Sequence, residues 1–279
     1  MRKILTGLGA AMASAAAVAA MVLAAPAQAA AAAADAACRA GTLFLTFDTG
    51  SMSQAELIAR TLRKHHIRAT FFLANEPTVN HDSSLDPSWA PYWKSLAADG
   101  HVFGTHTFDH VYFRSVRDGK VIMRPQFGAD GGKDVAMTPE AFCTELRRSA
   151  QALHAMTGQR MAPIWRAPGG RTSPQTLQWA EQCGFRHVAW ASAGFLGDEL
   201  SSEKFPNDKL LARALRDLRD GDITMAHLGI WSRKDPWAPA VLEPLIAGLE
   251  QKGFCFATLR EHPAYKAWFE AQQKKEGAR

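Results

Sequence analysis

Three observations predict an α/β fold built on a parallel sheet. Short β-prone runs alternate with amphipathic helical patterns, start and stop signals bracket those patterns, and clusters of reactive polar side chains fall where the apolar runs end. A chain of 279 residues, 47% hydrophobic and 21% charged, is globular and long enough for one large α/β domain or two small ones.

The candidate strands occupy 43–47, 69–74, 102–105, 163–165, 187–191, 223–226 and 254–257, about seven in all. Between them, Phe142, Leu146, Ala150 and Leu153 recur at helical spacing, as do Leu211, Leu215 and Leu218, and Leu242, Leu245 and Leu249. Thr138 before Pro139, Ser173 before Pro174, and Asn207 mark helix starts. Gly158, Gly184, Gly221 and Gly253 follow the last turns. The repeated β-then-α order implies right-handed crossovers in either a closed barrel or an open doubly wound sheet. The stretch 111–137 breaks the rhythm, and Asp118-Gly119 between β-prone residues predicts a hairpin or lobe. No internal repeat or second domain is seen.

Arg2 and Lys3 precede an Ala-rich apolar stretch ending in Ala27, Gln28 and Ala29, so 1–29 reads as a cleaved secretory signal. An uncleaved anchor is the alternative, but alanine is weakly apolar and the small-residue site favours cleavage. Every later apolar run is interrupted by charge, so no stable membrane insertion is expected after cleavage. An Ala-rich linker over 30–40, a folded domain over 41–268 and a charged tail over 269–279 complete the organisation.

The formal net charge of +5 falls to +3 without Arg2 and Lys3 and is spread along the chain, which gives no support to a nucleic-acid partner. An exported protein, periplasmic or secreted, permits disulfides between Cys38, Cys143, Cys183 and Cys255, none of which forms a CxxC pair. Strand order suggests Cys38 with Cys255 and Cys143 with Cys183.

The polar clusters come in sequence. Asp48 lies in TFDTG, His106 and His110 in THTFDH, Arg166 opens RAPG, Asp198 lies in WASAGFLGDE, and His227 lies in DITMAHL. His106 and His110 are four apart at the expected start of a helical turn, which would turn both imidazoles toward one metal. That spacing is common among ordinary histidines. It gains weight from Asp48, Arg166 and His227 at other strand ends, on the face where α/β enzymes build their sites.

The set resembles the polysaccharide deacetylase family, carbohydrate esterase family 4, over roughly 41–262. The family motifs TFDDG, HTxxH, RxPG and a strand-end histidine correspond to TFDTG, HTFDH, RAPG and DITMAHL. The resemblance implies a distorted parallel (β/α) barrel of about seven strands in a single catalytic domain. It also implies a hydrolase that removes N-acetyl groups from an N-acetylated polysaccharide or peptidoglycan.

By the same resemblance, Asp48 is the general base, Arg166 holds its carboxylate, and His227 is the general acid. His106 and His110 bind a divalent metal, commonly zinc. Pro168 and Gly169 are assigned to substrate binding. Trp231 and Trp237 either stack on sugar rings or anchor their loop.

Two departures stand out. Thr49 occupies the family's third metal-ligand position, where a hydroxyl is a poorer ligand than a carboxylate, so Glu76, Asp109 or Asp48 must help or binding weakens. Ala193 and Leu196 occupy the acid positions of the fourth motif, so either Asp198 substitutes through a changed loop path or His227 is left less well tuned. The alternatives are an amide hydrolase with another substrate or no metal, and a non-catalytic glycan-binding protein.

Overall fold

The first predicted strand divides in two because its halves face different partners. Gly41–Leu43 (β1) pairs in parallel with Phe254–Phe256 (β11), whereas Thr46–Asp48 (β2) enters a six-stranded parallel sheet. There β2 lies between Ala226–His227 (β10) and Thr70–Leu73 (β3), and the sheet continues through Val102–Thr105 (β4), Ile164–Trp165 (β8) and Arg186–His187 (β9). This computed structural model describes residues 38–277, so the signal assigned to 1–29 and most of the linker at 30–40 lie outside the described residues.

Beyond β9 the chain reaches the opposite edge of the sheet. Ala191 N–H donates to Ile223 O (3.0 Å), Met225 N–H donates to Gly194 O (2.8 Å), and Phe195 bridges Met225 in parallel. Ile223 and Met225 lead directly into β10, so these bonds bring the segment after β9 against the β10 edge of the parallel sheet. Six of the seven predicted strand regions contribute to this sheet or its edge bonds, and the last, 254–257, pairs with β1 in a separate two-stranded sheet.

Burial on both faces explains why the strands read as apolar runs rather than alternating ones. Phe71 and Phe72 are adjacent in β3 and both fully buried. Phe47, Phe71 and Phe103 pack with Ile58 and Leu62 of Ala55–Lys64 (α1) and with Trp93 and Leu96 of Ala90–Ala98 (α2).

The capping signals place most later helices correctly. Thr138 caps Pro139–Thr157 (α3) through Ala141 N–H, and Gly158 ends it at φ 73°. Ser173 forms a reciprocal capping box with Thr176 at the start of Pro174–Gln182 (α4).

Asn207 differs from expectation. It is the first residue of Asn207–Asp217 (α5), and Pro206 is the cap. The Asn207 side chain is engaged elsewhere, donating to Pro236 O and accepting from Arg233. Of the predicted stripe Leu218 is buried, whereas along α5 itself Leu210 and Ala214 are buried and Leu211 and Leu215 only partly so.

Leu242–Lys252 (α6) buries Leu242, Leu245 and Leu249 as predicted, and Gly253 follows it. The last helix, Pro263–Gly277 (α7), runs through the boundary drawn at 269, with Phe269 buried. No helix among the described residues is long and apolar enough to cross a membrane.

The interruption at 111–137 is a three-stranded antiparallel lobe of Val111–Arg117 (β5), Lys120–Pro125 (β6) and Val135–Met137 (β7). Asp118 and Gly119 have φ of 50° and 73°, the left-handed pair a two-residue hairpin turn requires. Val111, Val121 and Met123 pack with Phe142, Leu146 and Trp165, seating the lobe against α3 and β8.

Cys143 in α3 is bonded to Cys183 after α4, with Cα atoms 5.6 Å apart. Cys38 and Cys255 are also disulfide-bonded, and no described cysteine is free. The Cys143–Cys183 link spans a sequence separation of 40. Replacing both cysteines by alanine is therefore expected to cost about 4 kcal/mol through loop entropy, as measured by urea unfolding. An unchanged midpoint would mean that packing alone holds α4 on α3.

Candidate active site

Parallel register brings the strand-end residues together. His227 is the direct partner of Asp48 across β10 and β2, and Thr105 pairs with Trp165 across β4 and β8. The residues that follow, His106 and Arg166, are thus neighbours. The loops after β2 and β10 also touch, with Ser51 N–H donating to Gly229 O at 2.9 Å. A Cβ on Gly50 (φ 136°) would lie 2.4 Å from that carbonyl oxygen, so only glycine allows the approach.

Asp48 is buried, and Arg166 Nη1 donates to its Oδ1 at 2.8 Å. Burial alone would push the carboxyl's pKa up. Arg166, with the charged His227, outweighs it and holds the group below its ordinary value, as a carboxylate. The Arg166 guanidinium is fully buried, with its centre 4.2 Å from the Phe72 ring and 5.5 Å from the Trp190 ring.

His106 Nδ1 lies 3.0 Å from Arg166 O. A carbonyl only accepts, so Nδ1 carries the proton and Nε2 is bare, 3.7 Å from Asp48 Oδ2. Burial lowers the His106 pKa to about 3 and lowers that of His110 as well, which keeps both rings neutral. The ring centroids are 4.8 Å apart, and His110 Nδ1 is buried without a hydrogen-bond partner. Two neutral imidazoles, one with an unsatisfied buried nitrogen, fit a divalent cation. The described residues contain no ready-made group of three His, Cys, Asp or Glu ligands.

The loop carrying these histidines is not the helical turn that its spacing suggested. Thr107 and His110 have φ of 61° and 50°, and the chain turns directly into β5. A β-branched residue in the left-handed region is held only by strong local bonds. Here Thr107 Oγ1 donates to His106 O (2.6 Å) and accepts from Val111 N–H (2.7 Å). Asp109 N–H donates to Glu145 Oε2 at 2.8 Å, a support 36 residues away that no local pattern announces.

At the opposite wall, Asp198 does take the place of the missing motif acid. His227 Nδ1 lies 3.2 Å from both Asp198 carboxylate oxygens, and His227 N–H donates to Oδ2 at 2.6 Å. Leu196 is buried in the apolar core, with Ala193 packed against it, and this turns the chain so that Asp198 arrives two residues later. Burial acts to lower the His227 pKa, but Asp198, Asp48 and Glu199 overcome it and raise the imidazole to about 10. Glu199, which sequence reasoning missed, has Oε2 4.0 Å from His227 Nε2.

A cavity of about 220 Å³ beside His227 is lined by Asp198, Gly229, Ile230, Arg233 and Trp237 among others. Trp237 is buried in the core cluster, whereas Trp231 is 64% exposed. Pro168 is buried and Gly169 exposed in the Pro168–Gly170 turn. Gly169 approaches Tyr112 of the lobe, to within 3.1 Å of an added Cβ.

Known proteins resemble this chain in sequence and in fold. Residues 36–188 match the family model for polysaccharide deacetylase, a span that holds Asp48, His106, His110 and Arg166 and ends before Asp198. A chitooligosaccharide deacetylase of Azorhizobium caulinodans is 25% identical over 233 residues, covering 78% of this chain and 92% of that protein. A peptidoglycan-N-acetylglucosamine deacetylase of Bacillus cereus is 23% identical over 216 residues, covering 77% of this chain and 66% of that protein. The solved structure of a family 4 acetyl xylan esterase from Clostridium thermocellum, in complex with cobalt, shares the fold at a TM-score of 0.60. It is 19% identical over 81% of this chain and 92% of its own. The family match covers more than half the chain and carries four of the strand-end residues; this chain belongs to the polysaccharide deacetylase family.

Proposed function

We propose that the protein is an exported, metal-assisted hydrolase that removes N-acetyl groups from a glycan, with 41–268 as its catalytic domain. The observation that carries this reading is the pairing of a charged Asp48 with a protonated His227 across one strand register, beside two neutral imidazoles.

Asp48, held by Arg166, accepts a proton from the water that attacks the amide carbonyl. His227 donates the proton that lets the sugar nitrogen leave as an amine. Its charge is sustained by Asp198 on Nδ1, which leaves Nε2 as the donating atom. A divalent cation held by His106 and His110 would supply Lewis-acid polarisation of the carbonyl. The names of the relatives support chitooligosaccharide or peptidoglycan as the substrate class. Thr49 favours one second reading, an amide hydrolase that works without metal.

The test is acetate release by the mature protein on chitin oligosaccharides and peptidoglycan, with and without a strong chelator. Release that is lost on chelation and restored by zinc is the expected result. Chelator-resistant release would favour the second reading, and no release from either glycan would defeat the proposed substrate class.

A further inference from the structure

With Thr49 at a ligand position, the cation site is one carboxylate short, and the loops after β2, β3 and β4 show where a replacement is held. Thr49 N–H donates to Phe72 O (3.1 Å), which aligns the loop after β2 with the end of β3. Ala74 N–H then donates to Thr49 Oγ1 (3.0 Å), so the hydroxyl's own proton is directed to Glu76 Oε1 at 2.6 Å. Asn75 N–H donates to Phe108 O (2.8 Å), midway between His106 and His110. Ser84 brackets the backbone of Glu76, accepting from its N–H (3.1 Å) and donating to its carbonyl (2.9 Å).

Glu76 is therefore strapped between Thr49 and the histidine loop. The other two candidate acids are committed: Asp109 accepts from Arg148 at 2.6 Å and Asp48 accepts from Arg166 at 2.8 Å. Among the described residues His110 Nδ1 is one of several buried nitrogens without a hydrogen-bond partner, and it belongs to one of the two histidines of the proposed cation site.

Resting on the function proposed above, we propose that Glu76 supplies the carboxylate that completes the divalent-cation site of this chain, and that Thr49 holds it there. A carboxylate at this point restores an oxygen ligand of the type zinc accepts beside two imidazoles. The three side chains do not already stand as a ligand group, so binding the ion requires a side-chain adjustment.

The experiment measures zinc affinity by competition with a chromophoric chelator, together with the visible spectrum of the cobalt-loaded protein. Glu76→Gln keeps an oxygen for the Thr49 hydroxyl and is expected to weaken zinc binding by at least about tenfold and to change the cobalt bands. Adding Thr49→Asp to Glu76→Gln should restore the affinity. Unchanged zinc affinity and cobalt bands in Glu76→Gln would overturn the proposal. If that variant does not fold, Thr49→Val reads the same contact, and zinc affinity equal to the parent's would overturn it equally. His106→Ala separates the two levels. Zinc binding that needs His106 but not Glu76 defeats only this inference, whereas zinc binding indifferent to His106 defeats the metal reading beneath it.

Discussion

Asp48→Asn is expected to lower acetate release by about 10³-fold, the scale of losing a positioned general base. The amide still accepts a hydrogen bond from Arg166 Nη1, now 2.8 Å from Asp48 Oδ1, but it has no lone pair basic enough to take a proton from water. The substitution also strands the buried Arg166 charge. Loss of one member of a buried ion pair typically costs about 3–5 kcal/mol, offset in part here by the retained hydrogen bond and by the Phe72 and Trp190 rings. Near-ultraviolet circular dichroism and urea unfolding would therefore show a folded but less stable protein. Activity close to the parent's in that folded variant would remove Asp48 from the role of base.

Asp198→Asn should have the second largest effect, and its signature is a pH profile. In the parent, His227 keeps its proton until about pH 10, so the proposed general acid is charged throughout the neutral range. Without the Asp198 charge, burial is opposed only by Asp48 and Glu199, and the imidazole falls toward its ordinary value of about 6.5. At that value about 3% of the acid is protonated at pH 8 and about three quarters at pH 6. The variant should lose about 30-fold in kcat/KM at pH 8 but less than about twofold at pH 6.

The stability of the fold should respond with the matching sign. A raised folded-state pKa stabilises the fold fully below the unfolded value near 6.5, and that contribution is lost as pH rises toward 10. Asp198→Asn should flatten this alkaline decline. A falling limb at the same pH in parent and variant would show that His227 does not draw its charge from Asp198.

What could be read in advance follows from the range of the interactions involved. The strands and most helix ends are local, set by apolar runs and by caps such as Thr138 and Ser173, and they were legible. The convergence of Asp48, His106, Arg166 and His227 was legible because parallel register carries strand ends to one face. The conformation of the histidine loop was not. Spacing alone implied a helical turn, while Thr107 is held left-handed by its own hydroxyl and the loop is anchored by Glu145, far along the chain. Asp198 was visible only as a candidate, since its arrival at His227 depends on how Leu196 is buried in the core with Ala193 packed against it. Asn207 resembled a cap because Asn caps helices in general, and the competing contacts with Arg233 and Pro236 lie outside its own segment.

Arg166 serves the site with two different parts of itself. Its guanidinium grips Asp48, while its backbone carbonyl fixes which nitrogen of His106 carries the proton. Replacing the side chain severs only the first link, because every amino acid has the same carbonyl. Mutation can therefore weaken the base while leaving the imidazole's tautomer intact. The reverse requires moving the chain itself at the end of β8, and such a movement releases both at once. The proposed base and the proposed cation ligand are thus separable by substitution but bound to one fate under any distortion of that strand.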